Sequence, residues 1–132
     1  MVNAVTYILD GDSTVQGLVG LRESGGSDYK VFPVVVFESE SAPYIVVRQS
    51  GLSSIGKNCG YNYSVDIISY AKSYDAVHAL AAAVKNAVLG QSPGTINGVD
   101  YGYLNLVTEA DGEYIKDHGL YTRITTVEGY GG

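Results

Sequence analysis

The sequence predicts an α+β fold, a mostly antiparallel sheet of four to five strands packed against one long helix, with a short helix at the N-terminus. Three observations point there. From Tyr61 to Ile67 apolar and polar residues alternate, with Tyr61, Tyr63, Val65 and Ile67 on one face and Asn62, Ser64 and Asp66 on the other, the period of a half-buried strand. Val77, Leu80, Ala81, Val84 and Val88 recur at the spacing of a helix with one buried stripe. Asn97-Gly98 is a strong hairpin signal, because both residues tolerate the positive φ of a type I′ turn.

Taken in order, Val2 to Leu9 is apolar enough for a short helix, and Asp12 or Ser13 caps a second turn through Val15, Leu18 and Val19. Gly25-Gly26-Ser27-Asp28 reads as a loop. Val31 to Glu38 is β-branched and aromatic, but Pro33 cannot donate to a ladder and places the segment at an edge or at the start of pairing. Pro43 opens a strand from Tyr44 to Gln49, and Gly51, Gly56 and Gly60 bracket a loop before the alternating strand. Ser73 or Asp75 begins the long helix, Gly90 ends it and Pro93 prevents its return. Ala81, Ala82 and Ala83 let that helix lie close to a sheet or another helix. A strand from about Val99 to Val107 follows the hairpin turn, Thr108 to Gly119 reads as a polar loop, and Leu120 to Val127 is the last strand. The chain is expected to form one domain over residues 1–132, with residues 1–30 as a helical segment and loop and 128–132 as a flexible end.

Composition narrows the function. A chain of 132 residues suits a single core. Eight Lys and Arg against fourteen Asp and Glu give a net charge of −6, so a phosphate backbone is repelled on average and nucleic-acid binding is disfavoured. No apolar run is long enough to span a bilayer, and the N-terminus has no basic region of the kind that opens a signal peptide. The lone Cys59 can form neither an internal disulfide nor a tetrahedral zinc site.

Constellations that would carry chemistry are thin. His78 falls one step off the buried helical stripe, and His118 lies in Asp-His-Gly, an ordinary turn sequence. Asp10-Gly11-Asp12-Ser13-Thr14 has the opening of a calcium loop, but its twelfth position is Leu21 and not the bidentate Glu that site requires. Glu38 and Glu40 share a strand face without further acids placed beside them. No glycine-rich stretch has a phosphate-cradling form. Neither catalytic residue, metal nor cofactor is expected.

Tyrosine stands out instead: 12 residues, with no Trp and 2 Phe. It is the aromatic suited to half-wet settings and is enriched at protein interfaces. In the stretch from Phe32 to Gly90, the segments FPVVV, APYIVVRQSG and YNYSVDIISYAKSYD, the last leading directly into AVHALAAAVKNAVLG, together resemble the tail-completion, or tail terminator, family of tailed bacteriophages. Asp66 in mid-strand, Ala71 and Tyr74 at its end, and the last strand Leu120 to Val127 fit that pattern, while the first thirty or so residues match it poorly.

The resemblance implies a non-enzymatic virion subunit, made in the host cytoplasm, that forms a ring of six on the head-proximal end of the tail tube at the head-tail junction. Its partners would be further copies of itself, the tail tube protein and a neck or connector protein, with DNA passing through the ring unbound. The candidate interface residues are Gly51, Ile55, Lys57 and Asn58 in the first glycine-rich loop, Tyr101 and Tyr103, Tyr114, Lys116 and His118 in the polar loop, and Tyr130 near the C-terminus. The nearest rival is a head-tail connector or stopper of the same particle. A more distant one is a small enzyme or ligand-binding domain built on Glu38, Glu40 and His118.

Overall fold

The computed structural model describes residues 2–23, 28–34, 41–54, 61–90, 94–96, 99–101 and 104–131. Two short helices come first, α1 (Val2–Asp10) and α2 (Ser13–Val19). Asp12 starts α2 by accepting hydrogen bonds from the backbone N–H groups of Thr14 and Val15, both at 3.0 Å, which satisfies two of the donors a helix start leaves open. Gly20 ends it at φ 73°, a conformation that favours glycine.

The strands are β1 (Val31–Pro33), β2 (Tyr44–Ser54) and β3 (Tyr61–Ala71), followed by α3 (Tyr74–Leu89), then β4 (Gly94–Ile96), β5 (Val99–Tyr101), β6 (Asn105–Asp111) and β7 (Tyr121–Gly131). The main sheet has five strands in the order β1-β2-β3-β7-β6, and β4 and β5 form a separate two-stranded ladder. Every pairing is antiparallel except β1 with β2. The expected α+β class, mostly antiparallel sheet and long helix are therefore present.

Alternation along β3 and β7 divides the sheet into two faces. On one, Ile45, Val47, Val65, Ile67 and Val127 form a core with Val5 and Leu9 of α1, Val15 of α2, and Leu80, Val84 and Val88 of α3. Ser73 caps α3 by accepting from the Ala76 N–H at 3.1 Å. All five residues of the expected helical stripe, Ala81 among them, are buried, as is Ala83, while Ala82 is exposed. The opposite face carries a smaller cluster of Phe32, Tyr44, Val46 and Leu120, with Tyr70 and Ile115 packed against it. Tyr44 stacks on Tyr70 with ring centroids 4.8 Å apart.

Several element boundaries differ from the sequence expectation. The strand expected over Val31–Glu38 stops at Pro33, where Val34 takes φ 71°, a backbone region a β-branched residue rarely adopts; residues 35–40 lie outside the described residues. β2 does not end at Gln49 but runs to Ser54, because an irregularity at Gln49/Gly51 lets pairing with β3 resume at Gly51 opposite Ser64. Ile96 pairs with Val99 across the Asn97-Gly98 turn, itself outside the described residues. The single strand expected from Val99 to Val107 is two, β5 and β6. β6 continues through Asp111, so the first third of the expected polar loop, residues 108–111, is strand, paired up to Asp111 opposite Arg123. β7 runs past Val127 to Gly131, opposite Tyr61, where a flexible end was expected.

Leu80 is 1% exposed at the centre of the α3 contact, so Leu80→Ala is expected to lower stability by about 2–5 kcal/mol in urea unfolding. Ser69 and Thr125 are fully buried, and among the described residues their hydroxyls have no hydrogen-bond partner. Replacing Thr125 by the equally shaped Val removes such a hydroxyl without opening space, and should raise the urea midpoint by the equivalent of about 1 kcal/mol; a lower midpoint would contradict it.

Candidate interaction surfaces

β6, an edge strand, is exposed along nearly its whole length, including Leu106 and Val107. Register between β6 and β7 shifts between Leu106 and Thr108, leaving Val107 without a cross-strand partner, the arrangement of a bulge.

Alternation on β6 places Glu109 and Asp111 on the face covered by α3, where both meet Arg123 of β7. Arg123 donates from Nε to Glu109 Oε1 at 2.9 Å and from Nη1 to Asp111 Oδ1 at 2.6 Å. Lys85 of α3 reaches Glu109 Oε2 at 3.1 Å, and Tyr74 at the start of α3 donates its hydroxyl to Asp111 Oδ2 at 2.8 Å. His78 Nε2 lies 3.4 Å from Asp111 Oδ1, within ion-pair range but without hydrogen-bond geometry.

Charge follows contact. The Tyr74 hydroxyl first, and Arg123 next, hold the Asp111 carboxyl below the usual carboxylate range, and Arg123 does the same for Glu109. The bond to Asp111 pushes the Tyr74 phenol up, and Glu109 raises Arg123. Aromatic rings continue the surface: Tyr74 lies 4.3 Å from His78 and 6.0 Å from Tyr121, and Tyr121 lies 4.8 Å from Tyr114.

The connection from β6 to β7 folds back over the sheet's other face. Gly112 donates to the Thr122 carbonyl at 3.0 Å and Thr122 donates its hydroxyl to the Glu113 carbonyl at 2.7 Å. Ile115 and Leu120 bridge each other around an exposed turn holding Lys116, Asp117 and His118. A Cβ at Gly112 would collide with Thr122 Oγ1, so glycine is required there by close approach.

Of the sequence-predicted interface residues that the structure describes, all but Tyr101 fall at the two ends of the sheet. Gly51 opposes Ser64, and Tyr130 opposes Asn62, at the end where β3 begins. Tyr101 is the last residue of β5, which packs beside β7. Tyr114, Lys116 and His118 share the turn region at the other end, all exposed. Along the 11 residues of β7 the two ends are about 33 Å apart at the rise of a strand. Ile55, Lys57, Asn58 and Tyr103 lie outside the described residues, as do Glu38, Glu40 and Cys59.

Sequence reading missed the ion cluster of Lys85, Glu109, Asp111 and Arg123. The one available signal was the Glu-x-Asp spacing, which puts two acids on one side of a strand; it was hidden once the segment was read as a loop. Asp12 of the calcium-like stretch is a helix cap, and Asp10 accepts from the Tyr29 N–H at 3.2 Å. Among the described residues no group of three or more His, Cys, Asp or Glu side chains could hold a metal.

No protein-family model and no curated protein matches this chain. Among solved structures it is similar to a chain from the virion of a native gene transfer agent particle, with a TM-score of 0.74 and 14% identity over 96% of this chain and 90% of that one. The likeness shows that the two chains share a fold over nearly their full lengths.

Because Glu109 and Asp111 have lowered pKa values in the folded state, the stability they contribute is present above their unfolded values of about 4 and is lost as pH falls through the folded ones. Arg123→Met should therefore flatten the fall in thermal midpoint between about pH 5 and pH 3 relative to the parent chain; parallel curves would show that the cluster contributes nothing.

Proposed function

We propose that this protein is a structural subunit of a tailed-phage-like virion, forming a ring of six that caps the head-proximal end of the tail tube and joins it to the neck. The observation that carries the reading is the shared fold with a chain of a gene transfer agent virion, which spans nearly all of both chains. The resemblance of Phe32–Gly90 to tail terminators supplies the finer position. Shape is compatible with the task. A joining ring needs two axial surfaces and two lateral ones, and the sheet has exposed turns or tyrosine-bearing segments at both ends and a different edge on each side.

Net charge bears on assembly and passage. Each subunit carries −6, so a ring wall repels DNA and lets it slide without being held. The same charge makes copies repel, and screening by salt weakens that repulsion.

The test is light scattering with negative-stain imaging of the purified chain, alone and with tail tube protein. Expected is a hexamer-sized ring, either alone or on adding tube protein, with the ring fraction rising as salt increases from about 0.01 M to 0.15 M and the Debye length shortens from about 30 to 8 Å. A monomer or dimer indifferent to tube protein overturns the reading. Co-assembly with portal protein in place of tube protein moves the subunit to the connector.

A further inference from the structure

The two edges of the sheet are built differently. Beside β1, Arg22 donates from Nε to the Tyr29 carbonyl at 2.9 Å and from Nη2 to the Val31 carbonyl at 2.8 Å. Those two carbonyls point away from β2, since the intervening Lys30 carbonyl is the one that accepts from Ile45 of β2. The guanidinium rests over Phe32, 4.5 Å from the ring centroid, which holds it in place. Pro33 has no N–H to offer, and the Val34 N–H is bonded to Val47. A further strand therefore cannot add at β1, and contact on that side must be made by side chains.

That side presents exposed apolar residues around a partly polar recess. A cavity of about 300 Å³ between α1 and β1 is lined by Tyr7, Val31 and Pro33 together with the polar Thr6, Asp10, Arg22 and Asp28. Tyr7 is 60% exposed and Val34, next to Pro33, 64%. Asp10 and Arg22 already hold hydrogen bonds within the chain and Asp28 is exposed to water, so an apolar group entering beside Tyr7 and Pro33 does not strand Asp10 or Arg22. At the opposite edge, four strands away, Leu106 and Val107 stand out at 39% and 50% exposure, with Val107 thrown outward by the bulge. The nearby acids Glu109 and Asp111 are neutralised inside the molecule by Arg123 and Lys85.

We propose that copies of this chain join head to tail by seating Leu106 and Val107 of one copy in the Tyr7–Pro33 recess of the next. The contact deepens the ring reading above and rests on it. A projection and a matching recess on opposite sides of one molecule make a heterologous contact, which closes into a ring when the rotation between copies divides a full turn. A twofold edge-to-edge contact would instead leave the recess empty and the exposed Tyr7 and Val34 in water.

The test uses the full chain carrying Cys59→Ser, so that engineered cysteines are its only thiols. Tyr7→Cys and Val107→Cys are made singly, and a short thiol-to-thiol crosslinker is applied to each alone and to their mixture. Covalent dimers are expected from the mixture and from neither variant alone, and the double variant should give a ladder of covalent oligomers. Val107→Asp should abolish ring formation while leaving the thermal midpoint of the subunit within a few degrees of the parent, and Val107→Leu should retain the ring. Self-linking of Val107→Cys alone overturns the head-to-tail contact. So does a ring that survives Val107→Asp and gives no crosslink between positions 7 and 107; in that case the ring reading stands and only the contact fails. If the Cys59→Ser parent and the native chain both stay monomeric with and without tube protein, the ring reading fails and takes this contact with it.

Discussion

The rest of the molecule depends on the long pairing of β3 with β7, from Tyr61 opposite Gly131 to Ala71 opposite Tyr121 without interruption. Side chains alternate between faces along both strands, so this one register decides which residues meet the helices. A shift of a single residue would turn Val65, Ile67 and Val127 out of the main core and put Asp66 and Thr126 in their place. Asp66 is suited to the far face, where it accepts from the Thr126 hydroxyl at 2.7 Å. The same register sends Arg123 to the helix side, and the ion cluster with Glu109 and Asp111 follows from it.

What could be read in the sequence was what local rules govern. The Ser73 cap, the α3 stripe and the Asp12 cap are decided within four or five residues, and they were legible. Alternation in β3 was legible up to Ile67; beyond it Ile68, Ser69 and Ala71 are buried on both faces, because the Phe32–Tyr44–Leu120 cluster covers the outer face there, and a strand buried on both sides loses its period. Glycine and polar residues misled at Gly51 and at Thr108–Asp111. An irregular pairing carries β2 past the first, and Arg123, from a strand twelve or more residues later, neutralises the acids in the second. Both causes lie in distant segments that no window of sequence contains.

The candidate surfaces divide in the same way. Tyr114, Lys116 and His118 were found because turn residues and exposed tyrosines leave a local trace. The Leu106–Val107 projection was not, since two apolar residues entering a strand look like core until β6 is known to be the edge. Tyr7 was likewise absorbed into an apolar helix, although in the structure it turns outward beside Asp10 and Arg22.

Closing β1 with a guanidinium sets a limit on how these molecules can stack through their backbones. Fibre growth by strand addition requires a valence of two, one free edge to receive and another to extend. With Arg22 occupying the Tyr29 and Val31 carbonyls, only the β6 side of the main sheet has a valence to offer, so a mispaired couple terminates itself. Strand addition through the main sheet thus stops at a pair of molecules, which closes one route from a chain of 45% hydrophobic residues to cross-β stacking.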